Sequence, residues 1–287
     1  MKIKKKLEKI FNEKIENNIS KFDFNEKKFL RRNYLPKCKL KKLSKKEIID
    51  NKSLLEKYKR NNLKLAGITD NLWLPNSVLK VGFDFSDFCV PKDSKSELKQ
   101  QIINLANRWC NHGSINLEIS NNRAACDILI GFRPFFGTWS YVGTYSKIIV
   151  NRGKNSMNID PSWAANIWDL DKNQDNIYKK YLQSSILHEF GHAFGLIHEH
   201  QRADRPFTWD IEWMKANKDK LGLDTWEQIV SNYIEKEPMS TLTYGEYDPD
   251  SIMCYNWNKN ATVEKIGSKI NFSLSEKDKE DFSIMYP

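Results

Sequence analysis

Apolar positions along the chain fall into three regimes. From residue 1 to about 64, single Leu, Ile and Phe residues sit among Lys, Asn and Glu. Leu7, Ile10, Phe11 and Ile15 keep the spacing of one helical face, Pro36 interrupts it, and Ile48-Ile49 with Leu54-Leu55 predicts a second short helix. From about Leu72 the pattern becomes that of packed strands and helices. Val78 to Phe83 predicts a first strand, and Ser96 is placed to cap a helix over Glu97 to Cys110 whose inner face carries Ile102, Ile103, Leu105, Ala106 and Trp109. Ile115 to Ile119 and Ile128 to Phe132 predict further strands, Trp139 to Val142 an edge strand, and Lys147 to Val150 another. Residues from about Asn176 to Phe194 predict one more helix. Beyond His198 the periodic signals thin out, as in a smaller half built from irregular structure. The fold class expected is α+β.

Charge separates the first regime from the rest. The formal net charge is +9. Residues 1 to 60 hold 21 Lys and Arg against 8 Asp and Glu, whereas the remaining residues hold 25 against 29. The basic character therefore belongs to the N-terminal segment, and the rest is mildly acidic. This predicts a boundary near residue 64. Residues 1–64 form a basic, helical or partly disordered segment, and residues 65–287 the main domain. Three roles compete for the segment: a propeptide, contact with an acidic surface such as anionic lipid, or a delivery signal. At 287 residues with 40% apolar content the chain can bury one sizeable core. No stretch approaches the 18 or so apolar residues of a membrane span. Met1-Lys2-Ile3-Lys4-Lys5-Lys6 begins with charge, but no apolar core of a secretory signal follows.

The chemistry concentrates in residues 188 to 198, HEFGHAFGLIH, which hold three of the five histidines. His188 and His192 are four apart, so on a helix they share one face as two zinc ligands require. Glu189 follows the first ligand, within reach of a water on the same metal, where it serves as general base. Gly195 is placed to end the helix at positive φ, so that the chain turns back and delivers His198 as third ligand. Three neutral imidazoles leave Zn2+ a net positive charge and an open position, as in catalytic sites. A core helix would suit Ile186, Leu187, Phe190 and Phe194, but it has no need of three histidines at ligand spacing.

HExxHxxGxxH is the metzincin signature, and its continuation through Glu199, Arg202, Asp204 and Arg205 resembles the astacin family. Ser251-Ile252-Met253-Cys254-Tyr255 is similar to that family's Met-turn. Gly137 to Gly143 resembles its cleft-lining strand, and Leu274-Ser275 through Tyr286 its closing helix. The resemblance runs from about Leu72 to the C-terminus. It implies a two-lobed metzincin domain with residues 65–198 as upper lobe, a twisted mixed sheet plus helices. Residues 199–287 would be the lower lobe, mostly irregular. It implies His188, His192 and His198 as zinc ligands, Glu189 as proton carrier and Met253 as the apolar floor beneath the metal. Tyr255 is implied as an extra ligand that swings away to stabilise the oxyanion, and Glu199 as the carboxylate that meets a mature N-terminus. The implied function is a zinc endopeptidase acting on extended protein or peptide substrates, expected to be a monomer. A zinc-binding interaction module or pseudoenzyme, and a zinc hydrolase of a non-peptide amide, are the alternatives.

Two features depart from the family. Cys254 stands where His is usual, and the paired cysteines of secreted members are not recognisable among Cys38, Cys89, Cys110, Cys126 and Cys254. Cys110 and Cys126 read as buried thiols, with a Cys89–Cys110 or Cys110–Cys126 disulfide as the alternative. Pro36-Lys37-Cys38 resembles, over three residues, the matrixin switch in which a propeptide thiolate occupies the open zinc position. This cysteine usage suits a reducing compartment. The expectation is either a bacterial effector exported by a non-classical route or a cytoplasmic protease.

Overall fold

The computed structural model describes residues 71–87, 94–134, 136–161, 177–221, 225–236 and 246–287, with Ser44 and Lys46. The helices expected before residue 64, the boundary at residue 65 and the Cys38 switch lie outside the described residues, as does Cys89.

Five strands form one sheet: β1 (Val78–Asp84), β2 (Asn116–Ile119), β3 (Ile128–Gly131), β4 (Trp139–Ser140) and β5 (Met157–Asn158). Their order is β2-β1-β3-β5-β4. The first four run parallel, and β4 pairs antiparallel with β5 through Trp139–Asn158 and Ser140–Met157. Parallel neighbours need a crossover, and α1 (Ser94–Cys110) supplies it between β1 and β2. It begins two residues before the expected cap. Leu98, Ile102, Leu105, Ala106 and Trp109 line its inner face, all essentially buried.

One expectation fails. Lys147 to Val150 is not a strand but part of α2 (Tyr145–Asn151). Tyr145, Ile148 and Ile149 are buried at i, i+3 and i+4, the helical phase that a β-branched Ile-Ile-Val run conceals. The strand that does enter the sheet there is β5, two residues too short to leave a sequence signature.

The helix that carries His188, Glu189 and His192 is α3 (Ile177–Ala193). It packs beside α1, and two indoles fasten it by donating to its carbonyls: Trp109 to Leu187 O at 2.9 Å and Trp73 to Ala193 O at 2.8 Å. The closing helix α4 (Glu276–Met285) starts with a reciprocal cap: Ser275 Oγ accepts from Asp278 N–H, and the Asp278 carboxylate accepts from Ser275 N–H. It carries Phe282 back into the upper core against Trp109 and Phe194, with ring centroids 5.3 Å apart in both pairs. The Tyr286 hydroxyl donates to Phe194 O. A second core gathers Phe207, Trp209, Met214, Ile229, Tyr233 and Trp257 from the irregular half. A mixed sheet with helices, followed by a largely irregular lobe and a closing helix, is the α+β class expected.

Candidate metal centre and cleft

The site is built at the C-terminal end of α3. His188 and His192 project from one face of the helix. Gly195 then turns the chain with φ +107°, its N–H bonded to His192 O at 2.8 Å and that of Leu196 to Gly191 O at 2.9 Å. The turn delivers His198. Each imidazole is oriented through Nδ1. His188 donates to Ile252 O, His192 to Leu196 O and His198 to Gln201 Oε1, each at 2.8 Å. Carbonyl oxygens only accept, so Nδ1 carries the proton and the Nε2 lone pairs face inward.

Those lone pairs test the fit of a cation. His188 Nε2 is buried without a hydrogen-bond partner. His192 Nε2 and His198 Nε2 face each other at 3.1 Å with no proton to share. Among the described residues, His188, His192 and His198 converge with ligand atoms within 4.8 Å of one another. Burial lowers the pKa of His188 to about 4. Burial, reinforced by the neighbouring imidazoles, holds His198 well below its usual range. Neutral imidazoles are the form that binds a metal. An all-nitrogen set of three suits Zn2+ and leaves one position open.

Glu189 is 1% exposed and, with His188, lines a cleft of about 490 Å3 that is open to solvent. Tyr181, Ser184, Ser185, Ile252, Cys254, Tyr255, Asn256, Ile270 and Asn271 line the rest. The Tyr255 ring sits 4.3 Å from that of His198 and 5.8 Å from that of His188. Met253 is buried against α3 at Gly191, where an added Cβ would strike its sulfur. Asp278 holds this turn by accepting from Ser251 Oγ at 2.7 Å and Ile252 N–H at 2.8 Å, so the carbonyl that orients His188 is itself anchored from α4. The sequence reading gave no role in the site to Asp278 or to Gln201. The Gln201 signal was its place three residues after the third ligand.

Residues 179–280 match the model of the Astacin family of peptidases. Over that stretch, which holds all three converging histidines and the turn through Met253, the chain is similar to the astacin peptidases. Over 71 residues it is 38% identical to Astacin-like metalloprotease toxin 4 of Loxosceles laeta, a stretch covering 25% of this chain and 54% of that protein. The chain thus spans about half the length of the curated relative it matches. The solved structure of myroilysin superposes with a TM-score of 0.63 at 25% identity, covering 77% of this chain and 98% of that one. High choriolytic enzyme 1, a hatching enzyme zinc-protease from Oryzias latipes, aligns over 79% of this chain and 98% of its own at 14% identity, with a TM-score of 0.47.

The other motif residues take structural places. Arg202 forks onto Asp204 through Nε (2.9 Å) and Nη2 (2.8 Å). Arg205 donates to His200 O and Ile234 O and lies over Phe207 and Trp209. Glu199 accepts from Asp248 N–H at 2.8 Å and sits 3.5 Å from Arg202. Burial lifts its pKa to about 8, with Arg202 pulling the other way. Cys110, Cys126 and Cys254 are free thiols, so the Cys110–Cys126 disulfide does not form. Cys254 is buried with its sulfur 3.7 Å from the Tyr247 hydroxyl, and burial holds the thiol protonated. It is a poor candidate for redox chemistry. No helix among the described residues is long and apolar enough to cross a membrane.

Proposed function

We propose that this chain is a zinc-dependent endopeptidase that hydrolyses extended protein or peptide substrates. The observation that carries the reading is the convergence of three buried, pre-oriented imidazoles beside a buried carboxylate that lines an open cleft. His188, His192 and His198 hold the metal. Zinc in that position supplies a Lewis acid that lowers the pKa of a bound water to about 7. Glu189 takes the proton from the attacking water and passes it to the leaving amine. The Tyr255 phenol donates to the negative charge that develops on the carbonyl oxygen. β4 is the outer strand of the sheet and packs beside α3, so an extended peptide adds to it as a further strand and presents its backbone to the site. The described cleft wall brings neutral Ser184, Asn256 and Asn271 and no Lys or Arg, which suits a neutral substrate side chain next to the scissile bond.

Residues 65–287 are assigned to the catalytic unit, acting as a monomer, and 1–64 to the basic appendage. Delivery as an effector into another cell's reducing cytosol accords with the free thiols. The deciding experiment incubates the full chain and Glu189→Ala with a mixed peptide library, with zinc quantified in each. Cleavage by wild type alone, with about one zinc in both, supports the proposal. One zinc in each and no cleavage by either would replace it with a zinc-binding module.

A further inference from the structure

The segment after the third ligand meets an unusual rack of backbone carbonyls. Val230–Ile234 is a π-helical turn, closed by Glu235 N–H on Val230 O at 2.9 Å. The helix ends here, so the carbonyls that follow Val230 O have no ladder partner of their own. Asn232 O accepts from His200 Nε2 at 2.7 Å, Tyr233 O from the Trp209 indole at 2.7 Å, and Ile234 O from Arg205 at 3.1 Å. Ser231 O and Glu235 O, at 2.9 and 3.3 Å, both take their protons from the side-chain amide of Gln201. Five consecutive carbonyls are thus occupied by side chains of residues 200 to 209.

His200 stacks on the His198 ring at 5.0 Å between centroids, but of these side chains Gln201 is the one that hydrogen-bonds a ligand imidazole. Its two N–H groups are committed to oxygens that can only accept, so the amide cannot flip. Oε1 must then point at His198, and it accepts from Nδ1–H at 2.8 Å. The other two ligand imidazoles are oriented by backbone carbonyls. His198 is the one whose orientation rests on a side chain, itself 1% exposed. We propose that Gln201 is a positioning residue of the metal centre, through which the π turn sets the tautomer and ring plane of the third ligand. The inference rests on the reading of His198 as a zinc ligand.

The test uses full-length wild type, Gln201→Leu and Gln201→Glu. Zinc affinity is measured by competition with a chromogenic chelator, melting temperature without metal, and ring-nitrogen NMR reports the His198 tautomer. Gln201→Leu removes both the acceptor and the two donors. Gln201→Glu keeps the acceptor and removes the donors. Both variants should melt below wild type. Only Gln201→Leu should lose zinc affinity, by about 10- to 100-fold, and with it the Nδ1–H signal of His198. Gln201→Glu keeps an accepting oxygen at either end of the side chain and should stay well short of that loss, within about threefold of wild-type affinity, against the roughly 10- to 100-fold cost of removing an outer partner. Equal affinity losses in the two variants, tracking their melting temperatures, would reduce Gln201 to a packing role and overturn the inference. So would an unchanged Gln201→Leu. If Gln201→Leu does not fold, Gln201→Glu decides alone: retained affinity supports the inference and a tenfold loss overturns it. Wild type that bound no zinc would instead remove the functional reading beneath it.

Discussion

Substituting Gly195 by Ala should damage both the fold and the metal site, by an amount the geometry allows to be separated into two parts. The first is backbone. A φ of +107° is a region that residues with a Cβ rarely adopt, at a cost of about 1–3 kcal/mol. The second is steric. The new Cβ would run into Cδ2 of Leu72, a core residue 2% exposed, with Asn71 O also in reach. Overpacking of that kind costs about 1–3 kcal/mol more. The expected loss is therefore about 2–6 kcal/mol. Gly153 provides the control: it has φ +71°, but nothing lies within 4 Å of an added Cβ. Gly153→Ala should cost about 0–1 kcal/mol, the backbone term less the entropy removed from the unfolded chain. Urea unfolding of both variants with a chelator present reads the difference directly. The same turn holds His192 through Leu196 O and leads into His198, so Gly195→Ala should also shrink the stabilisation gained on adding zinc. A Gly195→Ala loss within about 0.5 kcal/mol of the Gly153→Ala loss would refute the steric argument, since independent terms of this size are resolved to that precision.

Further outcomes are expected elsewhere. Tyr255→Phe should lower kcat for peptide cleavage by roughly 100-fold with KM and zinc content unchanged; unaltered kcat would take the phenol out of the chemistry. Asp278→Ala strips the acceptor from Ser251, Ile252 N–H and Ser275 N–H, and urea titration should show a loss of about 2–4 kcal/mol, whereas a change under about 1 kcal/mol would mean the turn before Met253 is held by other contacts. Burial raises the Cys110 thiol from 9.0 to about 12. Its stabilising contribution is therefore fully present below pH 9 and lost as pH climbs from there toward 12. Wild type should lose stability faster than Cys110→Ala across that window, and parallel pH profiles would contradict the assignment.

The metal site was legible because its chemistry is local. His188, Glu189, His192, Gly195 and His198 lie in eleven residues, and helical periodicity alone puts the first two ligands on one face. β1, β2, β3 and α1 were legible for a related reason, each carrying an apolar run long enough to show its period. α2 was misread because Ile148-Ile149-Val150 favours a strand locally, and the phase that buries Tyr145 with Ile148 and Ile149 emerges only in contact with the core. β5 spans two residues, and no pattern of period two can be recognised in so few. The partners of the ligand rings were hidden differently. Ile252 O and Leu196 O are backbone atoms, which leave no mark on residue type. Gln201 is a plain polar residue until the carbonyls of Ser231 and Glu235, some thirty positions onward, give its amide a direction.

The long reach of those partners sets an order on synthesis. The oxygen that orients His188 comes 64 residues after it, and the hydroxyl that secures Phe194 O comes 92 residues after that carbonyl. A ribosome adding about 5–20 residues per second takes roughly 5–20 s to cover the longer interval. For most of that time the three histidines have been made, while first the carbonyl that aligns His188 and then the hydroxyl that secures the end of their helix are still to come. A nascent chain therefore carries the ligand motif before it carries a finished cleft. Assembly of the site waits for the closing helix to come back onto the upper core, a built-in delay between making the three histidines and aligning them.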